Sequence, residues 1–164
     1  MSTYTPEQYA RRANSVWTKV QIWGAPFQFL VFLISLGFVI GTFFSDSLFD
    51  ITNATIIFKI LFLYFMCITG MFWEKDVFDH WYFAPQFFWE DFITTIVMVA
   101  HSIYLVALLL GVSDHKTLLL LVIIAYVSYL LNAAQYVLKW LVNRRHHKKS
   151  GAMAALETLD KSAI

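Results

Sequence analysis

Four long stretches with almost no charge constrain the fold of this chain more than any other feature. Residues 20–45 contain no charged side chain, 54–73 contain only Lys59, and 92–113 and 117–138 contain no Asp, Glu, Lys or Arg. A helix needs about 20 mostly apolar residues to cross a bilayer. The predicted fold is therefore all-α, a multi-pass four-helix membrane bundle. Its spans are expected at about 22–44, 54–73, 92–111 and 117–140.

The composition excludes several other classes of protein. Only 14% of the residues are charged and 59% are hydrophobic, whereas soluble domains carry roughly 25% charge. A net charge of +1 argues against nucleic acid as the main partner. The lone Cys67 cannot form a disulfide within the chain, and no Cys/His spacing typical of a metal site is present. We therefore expect no protein-held metal.

The basic residues predict the orientation of the bundle. Arg11, Arg12 and Lys19 precede the first span, and five basic residues follow the last one: Lys139, Arg144, Arg145, Lys148 and Lys149. By the positive-inside rule, both termini and the loop at 74–91 are expected on the cytoplasmic side. The chain then divides into a cytoplasmic segment at 1–19, a transmembrane domain at 20–142 and a basic cytoplasmic tail at 143–164.

Lys59 is the one charged residue inside the second apolar stretch. Its position is predicted to lie near the outer end of that span. A lysine there extends its ammonium along the stem to the membrane surface. We therefore expect Lys59 to snorkel.

The stretch 73–91 is unusually aromatic for a loop. It contains eight Trp, Tyr or Phe residues and five carboxylates among nineteen positions. The rings suit a belt at headgroup level, and they equally suit one wall of a pocket for a large flat ligand. Both interpretations remain open at the level of the sequence.

The third span carries polar residues on one helical face. Glu90, Thr94, Val97, His101 and Tyr104 are spaced by 4, 3, 4 and 3 residues, which places them on the same side. His101 lies about 16 Å deeper than Glu90, at about 1.5 Å per residue. The imidazole either links two helices or lies at the end of a polar track.

Two further polar features accompany this face. The fourth span has a matching stripe of Ser128, Asn132, Gln135 and Lys139. Glu90 and Asp91 fall in the first turn of span three, where the helix dipole favours anions.

Glu74 lies at the C-terminal end of span two, where the dipole disfavours an anion. Glu74 therefore needs a nearby cation or a retained proton, and a retained proton would suit a general acid.

Seven segments resemble a known family. They are 4–7 (YTPE), 25–33 (APFQFLVFL), 73–75 (WEK), 82–85 (YFAP), 87–91 (FFWED), 101–104 (HSIY) and 132–135 (NAAQ). In this order they resemble the 3-vinyl (bacterio)chlorophyllide hydratases of photosynthetic bacteria, over roughly residues 4–140. One departure is Asp79–His80, which replaces a glycine-containing turn, so no catalytic role is carried onto either residue.

The resemblance implies an enzyme that adds water to the C3 vinyl group of a chlorophyllide-type pigment, a hydro-lyase of bacteriochlorophyll synthesis. The product carries a 3-(1-hydroxyethyl) group. It further implies the cytoplasmic or photosynthetic membrane as the location. The expected partners are the tetrapyrrole and the lipid bilayer, and a homo-oligomer or contacts with other pigment-synthesis enzymes are compatible with the sequence. No cofactor is expected, since the magnesium belongs to the pigment.

The chemistry of hydration assigns candidate roles. Glu90 or Glu74 is the candidate acid, and His101 is the candidate that orients water, stabilises charge or ligates the pigment magnesium. The remaining candidates would bind the substrate through rings or hydrogen bonds: Trp73, Trp81, Phe87, Phe88, Trp89, Asp91, Thr94, Tyr104, Asn132 and Gln135. The alternative functions are a non-enzymatic pigment-binding or assembly factor and a small transporter.

Overall fold

The structure is a computed structural model and describes residues 4–112 and 114–162. All regular structure in these residues is helical, as predicted. The elements are α1 (Pro6–Asn14), α2 (Val16–Thr42), a 3-10 turn (Asp46–Leu48), α3 (Phe49–Phe78), α4 (Phe88–Leu109) and α5 (His115–Ser162). Four segments are long and apolar enough to cross a membrane: Val16–Thr42, Asp46–Phe78, Phe88–Leu109 and His115–Lys139.

The helices are longer than the predicted spans. α2 begins at Val16 instead of 22, and α3 runs from Phe49 to Phe78 instead of 54–73. The prediction counted only residues suited to hydrocarbon. A helix satisfies its own backbone hydrogen bonds, so it continues through the headgroup region with polar side chains.

The short helix α1 has a local sequence signal for its start. The Thr5 hydroxyl accepts a hydrogen bond from the Gln8 backbone N–H at 3.2 Å, and the Gln8 side chain accepts one from the Thr5 N–H at 2.9 Å. Pro6 occupies the first turn, where its missing N–H is not needed. α1 therefore forms a defined element beside the bundle.

The four long helices form two hairpins, α2 with α3 and α4 with α5, which contact each other through rings and hydroxyl groups. Phe32 of α2 lies 4.8 Å from the Tyr129 ring of α5, centroid to centroid. The Ser35 hydroxyl bonds the Tyr126 hydroxyl at 2.6 Å, and Tyr64 bonds Ser102 at 2.5 Å. Polar groups thus join the hairpins in the interior, while Leu30, Ile34 and Leu61 remain exposed on the outside. Soluble proteins have the reverse arrangement, so polar contacts inside and apolar side chains outside suit a helix bundle surrounded by lipid.

At one end of the bundle, α1 and the end of the apolar part of α5 both contact the aromatic loop. Arg11 of α1 contacts Asp79 at 2.8 Å, and Lys139 of α5 contacts the Gln86 carbonyl at 3.2 Å. We call this region, formed by α1, residues 79–87, the first turn of α4 and Lys139, the loop end. Polar groups and flat side chains are both concentrated there.

The prediction that Lys59 snorkels is wrong. Its side chain is fully buried, with no exposed area. Lys59 lies ten residues inside α3, counted from Phe49, about 15 Å from the start of the helix. Its ammonium contacts a histidine of α4, two tyrosine rings of α5 and a phenylalanine ring of α2, so the side chain has partners without reaching the surface.

Candidate functional site

Two carboxyl groups lie side by side beneath the aromatic loop. Glu74, at the end of α3, is 4% exposed, and Asp91, in the first turn of α4, is 6% exposed. Their side chains are within hydrogen-bonding reach of each other. Two carboxyl groups this close repel each other when both are ionised, and a proton on one of them would remove that repulsion.

The same two carboxyl groups fasten the loop to the bundle. Glu74 accepts a hydrogen bond from the Ala84 N–H, and Asp91 accepts one from the Phe83 N–H, both at 3.1 Å. Phe83 has a φ of 58°, which is unfavourable for a side chain of its size. The two bonds therefore hold a strained turn in place.

Tyr82 completes the polar contacts under the loop. Its hydroxyl donates to the Asp91 carbonyl at 3.0 Å and lies 3.1 Å from the Thr95 hydroxyl. Burial raises the pKa of the Tyr82 phenol, so it stays protonated at neutral pH and acts as a donor.

The predicted aromatic residues separate into half-buried and exposed groups. Trp73 and Phe87 lie 5.5 Å apart, pack with Phe78, and Trp73 donates its indole N–H to Thr18 at 2.9 Å. Trp81, Phe88 and Trp89 are 54%, 47% and 69% exposed. The rings of the first group pack against each other beneath the loop. The rings of the second group point outward at the level of the loop.

The polar stripes of α4 and α5 face each other. Glu90 pairs with Lys139, and the Asn132 amide donates to the Thr94 hydroxyl at 3.3 Å. Gln135 in turn donates to Asn132 at 2.6 Å. Four of the predicted site residues (Glu90, Thr94, Asn132 and Gln135) therefore lie along one seam between α4 and α5. The Glu90–Lys139 and Asn132–Thr94 contacts join the two helices of this hairpin, and the Gln135–Asn132 bond lies within α5.

His101 lies deeper and pairs with Lys59. The imidazole is 1% exposed; its Nδ1 lies 2.8 Å from the Val97 carbonyl, and its Nε2 contacts Lys59 Nζ. A carbonyl can only accept, so Nδ1 carries the hydrogen, and the Nε2 lone pair of the neutral ring faces the lysine. Both nitrogens are thus engaged, and coordination of a pigment magnesium would require Lys59 to move away.

Three rings surround the Lys59 ammonium. Nζ lies 4.3 Å from the Tyr129 centroid, 4.7 Å from that of Tyr126 and 5.7 Å from that of Phe32. Aromatic faces stabilise a desolvated cation. Among the described residues, no carboxylate contacts this ammonium. Lys59 and His101, which we call the deep pair, are therefore a buried acid–base couple without a counter-ion.

The structure does not bring the sequence-predicted residues into one cluster. His101 lies ten residues beyond Asp91 on α4, about 15 Å, and Lys59 lies fifteen residues before Glu74 on α3, about 22 Å. Tyr104 lies one turn further than His101 and donates to Asn53 at 2.6 Å. Fully buried Val97 stands between Thr94 and His101. The loop-end groups and the deep pair are two separate sites.

Two cations in these sites, Lys59 and Lys139, were not among the predicted site residues. Lys59 was the one charge in an apolar stretch, which is a sequence signal for a functional residue. Lys139 belonged to the predicted stripe of α5, but its pairing with Glu90 could not be read from the spacing. No group of three or more His, Cys, Asp or Glu side chains suited to a metal ion is found in the part of the chain that the structure describes.

Comparison with known proteins identifies the family. The 2-vinyl bacteriochlorophyllide hydratase family model matches residues 4–142. A protein of that name from Cereibacter sphaeroides is 43% identical over 136 residues, covering 83% of this chain and 84% of the relative. One from Rhodobacter capsulatus is 40% identical, covering 83% and 79%. No solved structure matches. With nearly the whole sequence matched in this way, the chain belongs to the 2-vinyl bacteriochlorophyllide hydratase family.

Proposed function

We propose that this chain catalyses the reaction for which its family is named, the hydration of the vinyl group of a bacteriochlorophyllide. The substituent called 2-vinyl in that name is the 3-vinyl group in the other numbering of the macrocycle. Water adds across the double bond and leaves a 1-hydroxyethyl group. No electron leaves or enters the pigment, so we assign no redox cofactor, and the magnesium is part of the substrate.

The observation that carries a mechanism is the contact between Lys59 and His101 deep in the bundle. Hydration needs one group that gives a proton to carbon and one that takes a proton from water. The deep pair combines both abilities in neighbouring nitrogen atoms, and the two alkene carbons are also neighbours. Addition of both parts of water from one side of the vinyl group follows from this arrangement.

The steps balance without another reactant. Lys59 Nζ gives a proton to the terminal vinyl carbon, whose π electrons form the new C–H bond. The cation at the inner carbon is shared with the conjugated macrocycle, and a water oxygen attacks it. Lys59 no longer needs the Nε2 lone pair once it has given up its proton, so His101 Nε2 turns from the lysine to the water and takes a proton from it. Transfer of this proton from Nε2 to Nζ restores both residues.

The charge of the donor favours Lys59 over a carboxylic acid in an apolar interior. An ammonium that protonates a neutral alkene moves a positive charge to the pigment without creating a new one. A neutral carboxylic acid would create two opposite charges, and charge separation is costly where the dielectric constant is low. The polar groups at the loop end then have a different role: Glu74 and Asp91 hold the loop, and the exposed rings contact the pigment.

The test is conversion of a 3-vinyl pigment by the purified, membrane-reconstituted chain. We expect a product heavier by one water and, in deuterated water, deuterium on the new methyl group. Lys59→Met and His101→Gln should each lower kcat by about 10²–10⁴-fold, the range of general acid–base catalysis. Lys116→Met, a lysine at the opposite end of the bundle, is the matched control and should retain activity.

Three outcomes would contradict parts of this proposal. Pigment binding without any product would favour a carrier and reject the enzyme. Full activity of Lys59→Met together with loss in Glu74→Gln and Asp91→Asn would move the acid to the loop end. Full activity of Lys59→Met, His101→Gln and Glu90→Gln would reject all three residues as acid or base. Glu74 and Asp91 would then be the remaining candidates.

A further inference from the structure

We infer that Lys139 and Gln86 form the subsite that binds the carboxylate of the pigment. This inference rests on the proposed function, because it concerns how the same substrate is held. The relatives act on a bacteriochlorophyllide, and an -ide is the pigment acid without its esterified tail. An unpaired carboxylate is costly in hydrocarbon, so this group needs a polar site at the edge of the bundle.

Lys139 provides a cation at the required place. It is the first Lys or Arg after Lys116, and it ends the apolar part of α5 at the loop end. Its side chain is 30% exposed. The ammonium therefore lies where an anion can reach it without entering the hydrophobic core.

The bonds of Lys139 leave one donor unused. An ammonium has three N–H donors. One bonds the Glu90 carboxylate, and another bonds the backbone carbonyl of Gln86 at 3.2 Å. Nζ also lies 4.3 Å from the Phe87 ring centroid. No third acceptor is found among the described residues. A pigment carboxylate can accept this donor while the Glu90 contact is kept or exchanged.

The side chain of Gln86 gives an independent sign of a missing ligand. Its Oε1 is buried and has no hydrogen-bond partner within the described part of the chain. A buried amide without a partner is unfavourable, because the group has lost water and gained nothing. A half-turn of the amide presents its N–H₂ donor instead of its oxygen. Gln86 and Lys139 can then bind the two oxygens of one carboxylate.

The flat side chains beside these donors fit the rest of the ligand. Phe87 contacts Lys139 and packs with half-buried Trp73 and buried Phe78. With its carboxylate at the loop end, a macrocycle extends its apolar edge away from the surface, in the direction of the deep pair. The anion then remains at the boundary while the uncharged vinyl group enters the interior.

The test compares the pigment acid with its methyl ester, which lacks the charge. The reconstituted full-length chain should prefer the acid through a lower KM. Lys139→Gln and Gln86→Leu should raise KM for the acid by about 10- to 100-fold, the loss expected for a charge-assisted hydrogen bond. Both variants should leave kcat and the KM for the ester nearly unchanged. Lys19→Gln, an exposed lysine at the same end, is the matched control.

The ratio of the KM for the ester to the KM for the acid separates the possible outcomes. An unchanged ratio in both variants, with activity intact, overturns the subsite and leaves the hydratase intact. If Arg12→Gln instead removes the preference for the acid, the pigment carboxylate binds at α1, and the proposed subsite is also overturned. If Lys139→Gln fails to fold, Gln86→Leu decides, since it keeps every charge. A chain that hydrates neither pigment rejects the proposed function itself.

Discussion

At the scale of single residues, Lys59 is the most unusual group in the protein. It is fully buried, its charge faces aromatic rings, and its hydrogen-bond partner is a histidine instead of a carboxylate. A buried ammonium loses its hydration, which costs several kcal/mol. Such a residue destabilises the fold unless its environment compensates, and functional residues are often of this kind.

This environment predicts opposite effects on stability for the two members of the deep pair. Lys59→Met fills a similar volume and removes the buried charge, so it should be as stable as the wild type or more stable. His101→Leu leaves the ammonium without its hydrogen-bond acceptor and should cost roughly 1–3 kcal/mol, the range for a buried polar group that loses its partner. Thermal unfolding in detergent measures both effects.

The double variant provides the control for this prediction. Lys59→Met combined with His101→Leu should recover most of the stability that His101→Leu loses, because no unpaired charge remains. If Lys59→Met proves the less stable single variant, the lysine contributes to folding, and its burial needs no catalytic explanation.

At the scale of elements, the end of α3 depends on one residue in an unusual backbone conformation. Asp79 follows Phe78 with φ 62° and ψ 14°, and its N–H bonds the Lys75 carbonyl. This left-handed conformation favours glycine. Asp79 occupies this position, and its carboxylate accepts a bond from Arg11 at 2.8 Å. The turn thus ends α3 and ties it to α1.

Two substitutions separate the backbone conformation from the charge. Asp79→Gly and Asp79→Ala both remove the carboxylate, but only alanine keeps the strain of a Cβ in the left-handed region. We expect the alanine variant to be less stable than the glycine variant by about 1 kcal/mol. Unfolding in detergent at neutral pH measures this difference, and equal stability would contradict it.

The ion pair of Asp79 adds a pH dependence that serves as a check. The Arg11 guanidinium holds the pKa of the Asp79 carboxyl below its usual range. A lowered pKa gives stabilisation at neutral pH that is lost as the pH falls through that lowered value. The side chains are exposed, so the contribution is small. The difference between glycine and alanine at position 79 should persist at acid pH.

At the scale of the whole molecule, the charges at the two ends of the bundle differ. The end that carries the loop has five basic residues, Lys19 and Lys75 besides the loop-end cations Arg11, Arg12 and Lys139, together with six carboxylates: Glu7, Glu74, Asp76, Asp79, Glu90 and Asp91. The opposite end carries Asp46, Asp50 and Asp114 with only Lys116. The positive-inside rule predicts that the loop end faces the cytoplasm. Pigment and water would then reach the bundle from the cytoplasmic side.

Labelling of single cysteines measures this orientation. In a Cys67→Ala background, Asn14→Cys marks the loop end and Ser47→Cys marks the other end, and both positions are exposed. A membrane-impermeant maleimide should label Asn14→Cys only in inverted vesicles and Ser47→Cys only in right-side-out vesicles. The reverse pattern would place the loop end outside and contradict the charge argument.

The sequence by itself determined the helical class, the four spans and the inward face of α4. These properties depend on short stretches of chain, because hydrocarbon selects apolar residues along one helix and the helical period groups Glu90, Thr94, His101 and Tyr104 on one side. The resemblance to the family was also present in short segments. The matched length in the comparisons confirms that assignment.

Only the tertiary structure decided which polar groups meet. Lys59 and His101 are 42 residues apart, and Glu74 and Asp91 are 17 apart on different helices. Their contacts depend on how each helix is rotated and how deeply it lies against its neighbours, which spacing along one helix does not specify. A buried polar group takes the nearest available partner, and so the lysine expected at the membrane surface lies instead beside the histidine.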